Sequence, residues 1–350
     1  MKSYQVTEFG AALEAVVTDT PEPKGDEVLL RVKACGVCHS DLHLWRGGYD
    51  LGGGKWLSIQ DRGLKLPFVM GHEPVGEVVA LGPEASGVSI GDTRLVFPWI
   101  GCGACNRCRE GNDNDCVNMR TIGVFSPGGY ADHVMVPHPR YLLDISGIPD
   151  DYACTLACAG LTTYSALTKT LPLAADDTVV VIGAGGLGLT GIGIARAYLD
   201  HELIVVDIDD EKLEAARKAG ATHVVNSRSV DAVEAIKELT GGGAGAVVDL
   251  VGSSATAQLG IDAVRKGGKH IAVGLYGGDI TVSLPLLPLR NMTIRGSYVG
   301  RLGEMHELID LVRGGTVEPV PVATRPLDQV TKTLEDLDEG RILGRVVVVP

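Results

Sequence analysis

The 350-residue sequence lacks a membrane-length apolar run: no stretch reaches the ~20 apolar residues that a bilayer-spanning helix needs. Its first residues, Met1-Lys2-Ser3-Tyr4-Gln5, lack the apolar core of a secretory signal. There is no basic excess. Forty-four Asp and Glu against 31 Lys and Arg leave a formal charge of −13, which argues against a nucleic-acid backbone or an anionic lipid surface as the main partner. The 47 Gly and 17 Pro follow no period and sit between apolar runs, which excludes collagen-like and low-complexity classes. The remaining expectation is a soluble, cytoplasmic globular protein. At about 100–200 residues per domain, it is long enough for two domains with separate cores.

Cysteine is not scarce. Of eight, four crowd into 15 residues as Cys102, Cys105, Cys108 and Cys116. In a chain without a secretory signal, closely spaced thiols point to metal before disulfides. Four thiolates on one loop make a closed tetrahedral shell, which is how structural zinc is held; an iron–sulfur cluster is the chemical alternative. A DNA-reading finger is disfavoured by the acidic balance and by the missing His pair and basic recognition helix. A second group is dispersed over Cys35-Gly36-Val37-Cys38-His39-Ser40-Asp41-Leu42-His43, Gly71-His72-Glu73 and Cys158-Ala159-Gly160. Each piece alone has a plainer reading: Cys35-x-x-Cys38 as a redox pair or two small buried residues, His72 as a satisfied core histidine, Cys158 as an inert thiol at a helix start. Spacing does not show that they meet.

Residues 1 to about 150 give short β runs at 27–32, 76–81 and 91–97 separated by turns, which predicts a β-rich domain with long loops. After about residue 152 the period changes. Apolar strands are expected at 179–182, 203–207, 223–226, 246–251, 269–275 and 292–298, with helices near 186–199, 211–219, 231–240 and 255–265. Strands alternating with helices in this way predict a doubly wound parallel sheet covered on both faces. The last fifty-odd residues hold another helix pair and end in a strand over 345–349, expected to return to the first domain.

Gly183-Ala184-Gly185-Gly186-Leu187-Gly188 follows a strand and opens a helix. Gly183 permits the tight turn, Gly185 lets backbone N–H groups approach a pyrophosphate, and Gly188 allows close helix–strand packing. Asp207 ends the second strand, 19 residues after Gly188, where a carboxylate accepts from the ribose hydroxyls of NAD and repels a 2′-phosphate. No Arg follows it at once, so NAD is favoured over NADP. A flavin, methyl-donor or purely structural sheet is the alternative.

These residues carry a resemblance. Cys38-His39-Ser40-Asp41-Leu42-His43, Gly71-His72-Glu73, the four-cysteine loop, Gly129-Tyr130-Ala131-Asp132, Cys158-Ala159-Gly160-Leu161-Thr162-Thr163-Tyr164 and the glycine loop occur in one order. That order resembles the zinc-dependent alcohol dehydrogenases of the medium-chain dehydrogenase/reductase superfamily, most nearly the bacterial and archaeal tetrameric type. The resemblance spans essentially the whole chain. It implies a GroES-like catalytic domain of residues 1–153 (its structural zinc loop at 101–116) and 292–350, with a Rossmann domain, 154–291, inserted between. It further implies two zinc ions per chain. The catalytic ion would be held by Cys38, His72 and Cys158, the structural one by Cys102, Cys105, Cys108 and Cys116.

By the same resemblance, Asp41 orients His72, Glu73 lies behind the metal, and Ser40 and His43 form the proton relay. His39, with Arg345 as a weaker candidate, sits on the cofactor pyrophosphate, and the loop Gly183, Gly185, Gly186, Leu187 and Gly188 binds it. Thr162 packs on the nicotinamide, while Asp207 and Lys212 hold the adenosine ribose. The implied reaction is hydride transfer from a primary or secondary alcohol (aliphatic, cyclic or benzylic) to NAD, in a homo-oligomer, tetramer or dimer. Cys35 and Cys154 depart from the pattern and leave spare thiols near the presumed ligands; a ligand swap to Cys154 is the alternative to simple burial. Trp45, Tyr49, Trp56, Trp99, Leu275 and Tyr276 are candidate cleft walls, Trp99 the first choice. The competing functions are a polyol- or threonine-type zinc dehydrogenase, a glutathione-adduct formaldehyde oxidiser, a zinc-free reductase of the same fold, and a non-catalytic dinucleotide-binding protein.

Overall fold

A computed structural model describes all 350 residues. The first half of the chain is β-rich, as its short alternating runs dictate. Its central strand, Val28–Val37, pairs antiparallel with Glu73–Leu81 on one side and with Arg345–Val349 on the other. The sheet continues outward through Thr93–Val96 to Leu142–Asp144, and through Arg345–Val349 to Val322–Pro326. The C-terminal strand thus returns to the first sheet. A small second sheet joins Glu14–Val17, Lys2–Val6 and Phe68–Val69.

The other large sheet has six parallel strands in the spatial order His223–Asn226, Glu202–Asp207, Thr178–Ile182, Ala244–Asp249, Val264–Ala272, Thr293–Gly296. This is a doubly wound sheet whose strand order reverses beside Thr178–Ile182, and ligands of such sheets sit outside the carboxyl ends of the strands at that point. Its strands read as continuous apolar runs because both faces are covered: Val179, Val181, Leu203 and Val205 join the main core, while Val180, Ile182, Ile204 and Val206 face a second cluster. No helix is long and apolar enough to cross a membrane.

One expectation needs correction. Thr293–Gly296 pairs in register with Val264–Ala272, so the return to the first sheet expected at residue 292 comes too early: the doubly wound sheet's last strand lies beyond it. The strand itself was expected, over 292–298; as an edge strand with no buried face it does not mark the inserted sheet as its covered neighbours do.

Candidate active site

The helix His39–Arg46 begins where the strand Val28–Val37 ends, and Cys38 is its N-cap. The Cys38 sulfur accepts from the Ser40 amide at 3.3 Å, and the Cys38 amide donates to Asp41 Oδ2 at 3.0 Å. This reciprocal capping fixes both side chains. The other Asp41 oxygen, Oδ1, lies 3.2 Å from His72 Nδ1, which turns the opposite ring nitrogen toward Cys38: His72 Nε2 is 3.2 Å from Cys38 Sγ. Cys158 arrives from another element, a π-helical turn at Leu156–Gly160 set between two α-helical segments, and its sulfur is 4.0 Å from that of Cys38. Cys158 is therefore inside a helical run, not at a helix start. Such wide turns recur at functional sites because they re-aim a side chain.

Ligand atoms of Cys38, His72, Glu73 and Cys158 all lie within 4.8 Å of one another, and all four residues are buried. A tetrahedral zinc would place two thiolates about 3.8 Å apart and a thiolate and an imidazole about 3.6 Å apart. The observed 4.0 and 3.2 Å fit that ion to within a few tenths of an ångström. The sulfur–sulfur hydrogen bond pulls the Cys38 thiol well below its ordinary range, with His72 and Arg345 helping against burial. The same bond, and burial, push Cys158 well up. Burial would lower His72, but Cys38 and Asp41 outweigh it. Glu73 is pushed up to about 7 by burial, against the pull of Arg345, whose Nη2 donates to Glu73 Oε1 at 2.6 Å.

Ser40 and His43 stand three residues apart on the same helix, hence on one face. His43 is half-buried with its ring 4.9 Å from that of Tyr49, and burial lowers its pKa. Trp99 is buried, its indole N–H donates to the Ala157 carbonyl at 2.8 Å, and its ring is 5.4 Å from His72. Tyr298, which nothing in the sequence singled out, stands edge-on to Trp99 at 6.0 Å. Trp45 is packing, bonded to the Ala11 carbonyl at 2.6 Å, while Trp56, Leu275 and Tyr276 are largely exposed.

The spare thiols stay outside the ligand group. Cys154 Sγ donates to the Asp151 carbonyl at 3.2 Å, and Cys35 is wholly buried on the central strand; burial pushes both thiols well up.

The glycine loop joins Thr178–Ile182 to the helix Gly186–Tyr198. Gly183 has φ +100°, which only glycine takes without strain. A Cβ at Gly188 would sit 2.0 Å from the Gly183 carbonyl oxygen, whereas one at Gly185 would meet nothing within 4 Å. The loop thus closes tightly beneath and stays open above. No side chain caps the helix, so the N–H groups of its first turn, at Gly186, Leu187 and Gly188, are available to an anion. Asp207 ends its strand as expected, and its Oδ2 accepts from the Ala184 amide at 2.7 Å, which ties the acid to the loop. Lys212 lies in the first turn of Asp210–Lys218, and His39 is exposed at the start of its helix. Eight buried polar side-chain atoms have no partner, and two of them belong to residues expected at the cofactor, Thr162 Oγ1 and Arg345 Nε. Orphans of this kind are rare in a finished interior, and these two fit a polar cofactor.

Away from this cleft, Cys102, Cys105, Cys108 and Cys116 bring their sulfurs together: Cys105 is 3.5 Å from Cys108 and 3.8 Å from Cys116, and Cys102 is 4.0 Å from Cys108. These separations match the ~3.8 Å edges of a single tetrahedral ion and are far from the ~2.05 Å of a disulfide. A four-iron cluster, with each thiolate on a different iron, would spread the sulfurs further. Amides of Ala104 and Cys105 draw the Cys102 thiol down to about 6.

Comparison with known proteins gives two matching families: the alcohol dehydrogenase GroES-like domain over residues 24–147, and the zinc-binding dehydrogenases over residues 186–314. An NAD-dependent alcohol dehydrogenase of Sulfurisphaera tokodaii is 38% identical, and one of Saccharolobus solfataricus 36%, each alignment covering 100% of both chains. The crystal structure of the alcohol dehydrogenase from the archaeon Aeropyrum pernix superposes with a TM-score of 0.91 at 32% identity, covering 100% of both chains.

Proposed function

Since the chain belongs to the zinc-binding alcohol dehydrogenases of the medium-chain dehydrogenase/reductase superfamily, we propose that Cys38, His72 and Cys158 hold its catalytic zinc. Cys102, Cys105, Cys108 and Cys116 would hold a second, structural ion, giving two per chain. The protein is an NAD-dependent oxidoreductase that interconverts a primary or secondary alcohol with its aldehyde or ketone. The observation that supports the site best is the convergence of Cys38 with His72 and Cys158, which lie 34 and 120 residues further along the chain, with donor atoms at zinc-like spacing.

Zinc, when bound, supplies a Lewis acid for the substrate oxygen and makes the alcohol proton more acidic; NAD, when bound, accepts the hydride. Asp41 holds the His72 ring in place and raises its basicity as a ligand. Ser40 would accept the alcohol proton as its own hydroxyl proton moves on toward His43, one turn along the helix, and the His43 imidazole would pass a proton to solvent. Burial keeps the His43 imidazole neutral, and so able to accept, at neutral pH. The first-turn amides of Gly186–Tyr198 and the free N–H of Arg345 suit the diphosphate of NAD, with His39 beside it. Asp207 and Lys212 take the adenosine ribose, and Thr162 packs on the nicotinamide. Trp99 walls the cleft beside His72 and helps to exclude water. An apolar wall of this kind favours an aliphatic, cyclic or benzylic alcohol over a polyol, and Glu73, the carboxylate grouped with the ligand atoms, is engaged by Arg345.

The catalytic domain would comprise residues 1–153 and the C-terminal segment, with the inserted domain reaching past Gly296. Leu284, Leu286 and Leu289 are exposed, and Thr293–Gly296 is an open edge strand, features that suit a homo-oligomer, dimer or tetramer. Eight cysteines with no disulfide among them suit a reducing compartment, and we place the protein in the cytoplasm.

The deciding experiment is NADH formation at 340 nm across primary, secondary, cyclic and benzylic alcohols, with and without a zinc chelator. Chelator-sensitive turnover with NAD and little with NADP is expected. Absence of turnover in either direction, with zinc and NAD bound, would overturn the reading.

A further inference from the structure

The segment Ser297–Arg301 links the edge strand Thr293–Gly296 to the helix Leu302–Arg313 and carries Tyr298, the residue edge-on to Trp99. Its conformation is not one the chain takes freely. Val299 has φ +38°, a left-handed value that a β-branched residue adopts only when its surroundings impose it.

The surroundings are identifiable. Lys169, just after the helix Leu161–Thr168, donates to Ser297 Oγ at 2.8 Å, to Ser165 Oγ at 2.6 Å and to the Ser165 carbonyl at 3.2 Å. Three acceptors saturate an ammonium. The Ser165 hydroxyl in turn donates a hydrogen bond to Oε2 of the buried Glu304 at 3.1 Å, and Glu304 Oε2 also accepts from the Arg301 amide at 2.8 Å. The bend is therefore gripped at both ends by one network: Ser297 by Lys169, and Arg301 by Glu304 through Ser165. Between these grips Gly300 lies so close to Leu161 that a Cβ would fall 2.6 Å from its Cδ1. None of these polar side chains takes part in the proposed chemistry, yet they join the helix that carries Thr162 to the segment that carries Tyr298.

We propose that Lys169 is a positioning residue: by clamping Ser297 to Ser165 it holds Val299 in its left-handed form and seats Tyr298 against Trp99 at the substrate wall. The proposal rests on the alcohol dehydrogenase reading only in taking that wall to face substrate. Lys169→Met keeps the bulk and removes the clamp. It is expected to raise KM for the alcohol by about tenfold, with kcat changed far less, since the loss is in placing the substrate. The near-ultraviolet circular dichroism of the Trp99–Tyr298 contact should fall with it. Val299→Gly removes the strain, so K169M/V299G should regain much of both signals, which a merely structural lysine would not predict. Lys169→Arg keeps a cationic donor and should stay near the parent in both.

Should K169M fail to fold, Ser297→Ala, which deletes one clamp bond, decides in its place with the same signs. Unchanged dichroism and KM in K169M, or in S297A where that stands in, would overturn the proposal. So would a K169M/V299G no better than K169M. If the parent oxidises no alcohol, the functional reading fails while the dichroism comparison still decides whether the clamp seats Tyr298.

Discussion

Arg345 and Glu73 form a buried ion pair across the strand that carries Gly36: Glu73 is in register with Gly36 on one side, and Val347, two residues beyond Arg345, on the other. The missing side chain is what opens the passage, for a Cβ at Gly36 would lie 1.9 Å from Glu73 Oε2. Arg345→Met leaves a buried carboxylate without its cation. Loss of one partner of such a pair costs about 3–5 kcal/mol, which chemical denaturation would read as a lower midpoint. The double variant Glu73→Leu/Arg345→Met removes both charges and should recover part of that loss. If the double variant is as unstable as the sum of the singles, the pair is not coupled as its geometry implies.

His43→Gln removes the last proton acceptor on the helix His39–Arg46 while keeping its length. Alcohol oxidation near neutral pH should fall by about 10²-fold, the lower end of the range for a positioned base. Burial lowers the His43 pKa, so in the parent enzyme the rate declines only as pH falls to that depressed value and the imidazole protonates. The variant should lack this limb and gain rate from added buffer base. A pH–rate profile identical to the parent's would reject the relay.

Metal content separates the two cysteine groups. The parent should carry two zinc equivalents per chain. Cys105→Ser should keep one, with alcohol turnover largely intact at low temperature but lost on mild heating, because that ion ties down a loop and no cleft residue. Cys158→Ser should also lose one, but with turnover abolished and thermal stability less affected. Elemental analysis beside a thermal melt distinguishes these patterns, and equal thermal losses in both variants would contradict the assignment.

What could be read beforehand follows chain locality. The glycine loop and the four-cysteine loop are contiguous, so spacing alone exposed their chemistry. The six parallel strands were legible because both-face burial makes unbroken apolar runs, except that the bare edge strand Thr293–Gly296 blurred the domain boundary. The meeting of Cys38, His72 and Cys158 was visible only through family resemblance, since no local pattern encodes which distant strands become neighbours. Tyr298 and the Lys169 clamp left no signal: a tyrosine after a strand and a lysine after a helix look like ordinary surface. The π-helical turn at Cys158 was equally hidden, because one extra residue per turn leaves the apolar pattern nearly unchanged.

Asp207 accepts from the Ala184 amide and so braces the loop, and in the proposed site it would set the choice of dinucleotide. Asp207→Ser should weaken NAD by about tenfold or more, the loss of a charge-assisted bond to the ribose, and narrow the preference over NADP. Asp207→Ser/Ile208→Arg, which adds a cation where a 2′-phosphate would lie, should turn the preference round. Ratios of kcat/KM for the two cofactors measure this, and an unaltered ratio in the double variant would place the adenosine ribose elsewhere.

The acid limit of stability should be written partly in Asp336, on the helix Val330–Asp338 near the end of the chain. Its carboxylate takes Arg325 at 2.7 Å, Lys332 at 2.8 Å and Arg341 Nε at 2.9 Å, and these bonds hold its pKa well below the usual carboxylate range. In the unfolded chain the same group titrates near 3.9, so as pH falls the unfolded state takes up the proton first. The contribution of Asp336 is thus complete above about pH 4 and drains away as pH falls below it. Asp336→Asn should lower the urea midpoint at pH 7 and match the parent ever more closely below pH ~4, where the parent's own carboxylate loses its advantage. Acid also strips zinc from thiolates, but it does so in both proteins, so the difference between their curves isolates Asp336. A constant difference from pH 7 down to pH ~3 would show that the three cations do not stabilise the fold through this charge.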